Sequence, residues 1–209
     1  MPGAPGARYT FFTEALELAN RGILCLLPDP PYSRPPIKDV VNFTPSDKNG
    51  IVQEVTEMRR GIDLLVSRDD VDPSRLGYVG FSWGASLGAI LAAVERRVSS
   101  FVLASPVPHL STDMAELGKE RGADVPAGYE EAMQPIDAVN YLPHVAPNAV
   151  FLQFGKEDTR PSPEDGREAI GVTSSPKQVR WYEGGHELSI QALPDRQNWL
   201  AQRLGASGS

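Results

Sequence analysis

Apolar positions along the chain follow two alternating patterns. Between Ile51 and Val66 they recur at steps of four, three, four and three residues, the period of an amphipathic helix. Short continuous apolar runs such as residues 23–27 instead predict buried strands, and Cys25 would be a buried thiol in that strand. Strands that alternate with helices are typical of a mostly parallel sheet with helices on both faces, so the pattern predicts an α/β fold.

The same pattern predicts the other elements along the chain. The further predicted strands are residues 75–81, 100–104, 149–154 and 178–182. The further predicted helices are residues 10–21, 85–95, 163–170 and 192–204.

Two irregular segments interrupt this alternation. Residues 28–36 contain five prolines, which predicts a loop. Residues 105–148 mix prolines with short helical pieces, and a long insertion of this kind is typical of a lid or binding wall, with surface decoration as the alternative. We expect residues 1–209 to form a single domain with this lid-like insertion, and residues 205–209 to be disordered.

Charge and composition exclude several classes of function. The 20 basic and 27 acidic residues give a net charge of −7, which disfavours binding to nucleic acid or to an anionic membrane. A single cysteine excludes an internal disulfide and any metal site built from cysteines. No export signal is visible at the start, so the cytoplasm is the expected compartment. Residues 76–94 lack charge, but their glycines favour a strand, a sharp turn and a buried helix over a membrane span.

The candidate chemistry starts at Gly80-Phe81-Ser82-Trp83-Gly84, a G-x-S-x-G pattern. The pattern alone is weak, but it needs a strand before the serine and a helix after it, and both are predicted here. The glycines permit the strained turn that would present Ser82 as a nucleophile. The alternative is a structural serine at the start of a helix.

A serine nucleophile needs a base and a carboxylate that orients the base. Of the three histidines, His109 and His144 fall in the irregular insertion, whereas His186 follows the last predicted strand. Asp158 lies in the turn after the preceding strand and is the favoured acid. Glu157 and Asp165 are its rivals.

These motifs resemble those of the α/β-hydrolase superfamily, most closely its dienelactone-hydrolase-like and acyl-esterase branch. The elbow around Ser82, the turn Gly155-Lys156-Glu157-Asp158 and the closing Gly184-Gly185-His186-Glu187 stand in the family's order. Residues 71–77 also match the usual lead-in to the elbow strand. The resemblance implies a serine hydrolase that cleaves a small-molecule ester or lactone through an acyl-enzyme, with no metal or other cofactor.

Further site residues follow from this resemblance. The backbone N–H of Trp83 would stabilise the oxyanion, and four residues would shape an apolar substrate pocket. These pocket residues are Phe81, Pro106, Val107 and His109. A peptidase of the same fold is the alternative function.

The resemblance also implies a feature that the sequence lacks. In the family, a strand ending in a His-Gly loop precedes the helix that corresponds to residues 11–21, and this loop supplies a second oxyanion donor. That strand would lie between residues 23–27 and 76–81. We therefore expect an N-terminally incomplete version of the fold, for which a catalytically impaired remnant is a further alternative.

Overall fold

The central feature of the molecule is one parallel sheet. The computed structural model describes residues 1–34 and 40–206, and its four strands lie in the order β1-β2-β3-β4. All three strand pairs are parallel, as the alternating pattern predicts. The strands are β1 (Leu76–Phe81), β2 (Val98–Ala104), β3 (Ala149–Gly155) and β4 (Lys177–Tyr182).

Helices cover both faces of this sheet. They are α1 (Phe12–Ala19), α2 (Asp47–Val66), α3 (Trp83–Val94), α4 (Leu110–Glu120), α5 (Tyr129–Met133), α6 (Pro163–Val172) and α7 (Ala192–Arg203). On one face, α3 packs on β1 and β2 so closely that a Cβ on Gly88 would meet Tyr78 and Leu103. On the other face, Leu18 of α1 and Leu200 of α7 form a smaller apolar cluster with Val79. The α/β architecture is thus confirmed.

Helix α3 occupies the centre of the molecule. Its sequence is rich in alanine, glycine and leucine, and all residues from Trp83 to Ala92 are buried. Small side chains allow a helix to approach a sheet closely, so a helix without a polar face is stable only at this depth. The uncharged stretch is therefore the strand, turn and buried helix that its glycines predict.

The prediction of a strand at residues 23–27 is wrong. No β-ladder joins these residues to β1 or to another strand in the described parts of the chain. Their exposure alternates along the segment, and Leu24 and Leu26 are 43% and 40% exposed. Cys25 is half-buried, not a buried sheet thiol. The physical reason is a cavity that separates this segment from β1.

Other boundaries differ by a few residues. Helix α2 begins at Asp47, because the Asp47 carboxylate accepts backbone hydrogen bonds from Asn42 and Thr44 and thereby stabilises its own helix start. The first predicted helix is divided into a 3-10 turn (Arg8–Phe11) and α1. Residues 35–39 of the proline-rich loop and 207–209 of the tail lie outside the described residues.

The segment 105–148 contributes to the main hydrophobic core. It contains α4, α5 and three 3-10 turns, and Leu110, Met114, Met133 and Leu142 are each at most 2% exposed. A role as a lid stays a prediction. Within the ranges 1–34 and 40–206, no helix combines the length and apolar character that crossing a bilayer requires.

Candidate active site

The turn between β1 and α3 holds Ser82 in an unusual backbone conformation. Its φ and ψ are 52° and −117°, a region that non-glycine residues rarely occupy and that costs about 1–3 kcal/mol. The Ser82 N–H donates to the Ala104 carbonyl oxygen at 2.8 Å and so fixes the turn to the end of β2. A Cβ on Gly80 would overlap the Gly84 carbonyl, so the turn needs glycine there.

Three side chains meet at the carboxyl ends of the parallel strands. Ser82 follows β1, Asp158 follows β3 and His186 follows β4. The Nε2 of His186 lies 2.8 Å from the Ser82 Oγ, and its Nδ1 lies 2.9 Å from Asp158 Oδ2. An ionised carboxylate only accepts hydrogen bonds, so Nδ1–H donates to Asp158 and Nε2 accepts from the Ser82 hydroxyl. This arrangement can remove the hydroxyl proton and raise the nucleophilicity of the oxygen.

The structure distinguishes Asp158 from its two sequence rivals. The Asp158 side chain is 2% exposed, and its other oxygen accepts the Arg160 backbone N–H at 2.9 Å. Glu157 is exposed to solvent. Asp165 forms a capping box with Ser162 at the start of α6. Only Asp158 of these three carboxylates contacts His186 in the described parts of the chain.

Trp83 links the serine turn to helix α2. It is the first residue of α3, so its backbone N–H is not used within the helix and is available beside Ser82. Its indole is buried and donates from Nε1 to Glu54 Oε2 at 3.0 Å. Burial raises the pKa of Glu54 from 4.5 to about 7, against the opposing effect of the Trp83 hydrogen bond.

The predicted pocket residues lie in different surroundings. Phe81 packs against His186, with ring centroids 5.0 Å apart. Pro106 and Val107 are buried. The Val107 N–H donates at 2.8 Å to the Oγ of Ser86, which lies one helical turn after Ser82. His109 instead contacts Glu168 of α6 at 2.9 Å and lines a separate polar cavity of about 480 Å³.

Three neighbours of the site escape the sequence analysis. Ser105 has a positive φ of 51° at the end of β2, and its Oγ donates to the His186 carbonyl oxygen at 3.2 Å. Arg160 contacts Asp158 through its backbone and pairs with Asp113 of α4 at 2.6 Å. Glu54 gives no sequence signal, since it is one of several acidic residues on α2. Of these three residues, only Ser105 has a usable sequence signal, because it directly follows a buried strand.

The loop that follows Met1 also lies at the site. A Cβ on Gly3 would be 3.0 Å from the Ser82 Cβ and 3.0 Å from the Phe81 ring. Thus this loop passes directly beside Ser82. No group of three or more His, Cys, Asp or Glu side chains suited to a metal ion occurs within residues 1–34 and 40–206.

Comparisons with known proteins agree on the architecture. A family model described as "alpha/beta hydrolase fold" matches residues 1–202. An acetyl xylan esterase from Paenibacillus sp. R4 is 19% identical, with a TM-score of 0.75, over 96% of this chain and 72% of that one. The alpha/beta hydrolase GrgF from Penicillium sp. sh18 is 15% identical, with a TM-score of 0.74, over 98% and 88%.

A third structure is the esterase Pf2001 of Pyrococcus furiosus. It is 17% identical, with a TM-score of 0.70, over 98% of this chain and 80% of that one. At these identities the likeness concerns the fold. No curated protein sequence matches this chain.

Proposed function

The chain belongs to the alpha/beta hydrolase fold family, and from this premise we propose that it is a serine hydrolase acting on a small ester or lactone. One observation carries the proposal: the continuous hydrogen-bond chain from Ser82 through His186 to the buried Asp158. The more specific assignment, an enzyme of the dienelactone-hydrolase-like kind, rests on the sequence motifs. We place its action in the cytoplasm, where a lone cysteine without a disulfide is ordinary.

The mechanism follows from the roles that each group can take. The Ser82 oxygen attacks the carbonyl carbon of the ester while His186 Nε2 accepts the hydroxyl proton. The Trp83 N–H stabilises the negative charge that develops on the carbonyl oxygen. His186 then gives its proton to the departing alcohol oxygen, leaving the acyl group on Ser82. Water, deprotonated by the same imidazole, attacks this acyl-enzyme and releases the acid and the free serine.

The carboxyl group of Asp113, beside the site, is poorly suited to binding the free amine of a peptide. Asp113, whose charge interacts with His186, is paired with the Arg160 guanidinium at 2.6 Å. Burial raises the pKa of Asp113, so its charged form is also disfavoured. This carboxyl group therefore offers no unpaired negative charge to an ammonium group. An ester or a lactone carries no ammonium group and therefore needs no negatively charged partner.

The experiment combines a reactivity probe with turnover. We expect a fluorophosphonate to label Ser82 and the protein to hydrolyse p-nitrophenyl acetate faster than aminoacyl nitroanilides. Ser82→Ala should remove the label and lower ester turnover by about 10⁶-fold, since a triad acts as a unit. Ser99→Ala, which changes a serine of β2 distant from this chain of contacts, serves as the matched control. Labelling that persists in Ser82→Ala would overturn the proposal, and faster amide turnover would favour the peptidase.

A further inference from the structure

One side of helix α4 is acidic and lies beside the candidate triad. Asp113 and Glu120 are about two helical turns apart, and Glu116 lies between them, so the three side chains project from the same side of the helix. We call this side the acidic face of α4. The Asp113 side chain is 19% exposed, and its charge interacts with His186. The candidate base is therefore close to a second carboxylate in addition to Asp158.

Arg160 is the cation that contacts this acidic face. Its backbone N–H donates to Asp158 Oδ1 at 2.9 Å, so its side chain starts from the turn that carries the candidate acid. The Arg160 Nε lies 2.6 Å from Asp113 Oδ1. Its Nη1 and Nη2 donate to the two carboxylate oxygens of Glu120 at 3.2 and 3.1 Å. The planar guanidinium suits this arrangement, because it can contact two carboxylates at once.

Partial burial distinguishes this ion pair from an ordinary surface pair. The Arg160 side chain is 33% exposed, whereas the side chains of Arg68 and Asp70 are 48% and 60% exposed. A partly buried charge is screened less by water and salt, so it acts more strongly on its neighbours. Burial raises the pKa of Asp113, and the charge of Arg160 opposes this effect. Arg160 therefore both favours the charged form of Asp113 and neutralises its charge.

A carboxylate that is not neutralised would affect the imidazole of His186. A nearby negative charge favours the protonated ring, which has a proton on both nitrogens and cannot accept the Ser82 proton. Asp158 supplies one such charge, through its contact with Nδ1 at 2.9 Å. Asp113 would supply a second charge if Arg160 were absent.

The other groups near His186 and Asp113 complete the electrostatic surroundings. The Ser82 hydroxyl and the Phe81 ring face the imidazole, and neither is charged. In the loop of His186 itself, Glu183 is paired with Lys156 and Glu187 is exposed. The further carboxylates that act on Asp113 are Glu116 and Glu120 of the same helix. In the described parts of the chain, Arg160 is the cation in contact with Asp113.

We propose that Arg160 is a positioning residue of the candidate active site: it neutralises Asp113 from the turn of Asp158, so that His186 experiences the charge of Asp158 alone. This inference rests on the proposed function, in which His186 is the base. Arg160 does not contact the reacting atoms, and it acts through the charge of Asp113 on the imidazole. Loss of its charge should therefore raise the pH that His186 needs in order to accept a proton.

The test measures the titration of His186 directly by NMR. The chain contains three histidines, so few imidazole signals occur, and His186→Gln assigns the relevant one. We expect Arg160→Gln to move the titration midpoint of His186 upward by about 0.5–1 pH unit. Arg160→Lys keeps the positive charge and should shift the midpoint by less than about 0.3 pH unit. His144 is exposed and outside the site, so its midpoint serves as the internal reference.

Two further variants separate the effect of Asp113 from a general change in charge. Asp113→Asn, added to Arg160→Gln, removes the carboxylate and should return the midpoint to the wild-type value. Arg68→Gln also removes one positive charge, but from an exposed pair before β1, at the opposite end of the sheet from the triad. It should leave the midpoint unchanged. The acid limb of kcat/KM for p-nitrophenyl acetate should move together with the midpoint in each variant.

The results that would overturn the proposal are specific. A midpoint in Arg160→Gln equal to that of wild type would show that Arg160 does not shield His186 from Asp113. A shift that persists in the double variant would show that Asp113 is not its source. If Arg160→Gln does not fold, Asp113→Asn alone decides, because it leaves the guanidinium less neutralised and should lower the midpoint; an unchanged midpoint would again contradict the proposal. The NMR titration needs no turnover, so the expected shifts in a protein without ester hydrolysis would contradict the proposed function alone.

Discussion

The carboxyl group of Glu54 is buried beside Trp83, the residue that follows Ser82. It is 5% exposed, and the Trp83 indole is its hydrogen-bond donor. The buried hydroxyl of Tyr32, whose pKa is raised by burial and by the charge of Glu54, has no hydrogen-bond partner in the described structure. Burial, with a smaller contribution from the charge of Glu57, raises the pKa of Glu54 from the ordinary 4.5 to about 7, against the hydrogen bond from Trp83.

This pKa predicts a pH-dependent contribution to stability. Between about pH 4.5 and 7 the folded chain binds more protons at Glu54 than the unfolded chain, so this group's contribution to the free energy of unfolding falls as the pH rises. We expect the stability of wild type relative to Glu54→Gln to decrease by up to about 3 kcal/mol from pH 4 to pH 8. Urea unfolding at both pH values measures this. A difference that does not change with pH would contradict it.

Asp158 and its neighbour Glu157 provide a matched pair for the chemistry. Asp158→Asn would present an amide to His186, which favours the wrong imidazole tautomer and should lower ester turnover by about 10⁴-fold. Glu157→Gln changes an exposed carboxylate and should leave turnover within about twofold. Steady-state rates on p-nitrophenyl acetate check both. Similar losses in the two variants would argue against Asp158 as the orienting acid.

At the scale of residues, the order of motifs predicted which distant groups would approach one another. Ser82, Asp158 and His186 each follow a predicted strand, and the ends of parallel strands meet at one edge of a sheet. The contacts of Glu54 and His109 were not predictable in this way. Their partners, Trp83 and Glu168, depend on how helices rotate against the sheet, which local sequence patterns do not determine.

At the scale of elements, the turn between β1 and α3 depends on close backbone packing. A Cβ at Gly80 would overlap the backbone of Gly84, which no side-chain rotation can relieve. Gly80→Ala should therefore lower the free energy of unfolding by about 1–3 kcal/mol. Gly50→Ala is the control: it lies in α2 with open space around it and should stabilise by about 0.5–1 kcal/mol. Chemical denaturation distinguishes them, and equal effects would contradict the steric argument.

The predictable elements were those whose pattern is local. The four strands of the sheet and helices α2, α3, α6 and α7 follow from periodicity, and their ends differ from prediction by a few residues. Helices α4 and α5 lie in the segment 105–148, for which only short helical pieces were predicted. Residues 23–27 have an equally apolar pattern but no ladder, because a strand needs a neighbour at about 4.8 Å and here a cavity separates the segment from β1. The sequence of a segment does not report whether a neighbour is present.

At the scale of the whole molecule, the first and last helices are joined by an ion pair. Arg196 of α7 donates to both carboxylate oxygens of Glu14 of α1 at 2.9 and 2.8 Å, and these side chains are 15% and 6% exposed. Glu14→Gln should cost about 3–5 kcal/mol of unfolding free energy, because it leaves a poorly solvated guanidinium without its partner.

An exposed ion pair supplies the comparison. Arg68 and Asp70 are also paired at 2.7 Å, but their side chains are 48% and 60% exposed, so Asp70→Asn should change stability by less than about 1 kcal/mol. Urea unfolding measures both variants. If Glu14→Gln is no more damaging than Asp70→Asn, the pair between α1 and α7 is not a major source of stability.

The hydrogen bond between Ser82 and His186 provides a way to follow folding to the native state. Ser82 and His186 are 104 residues apart, and their contact forms only when β4 has added to the sheet. Helices α2 and α3 form from neighbouring residues, so circular dichroism detects them early during refolding, before distant segments have met. Covalent capture of Ser82 at successive times would instead follow completion of the topology, at single-residue resolution.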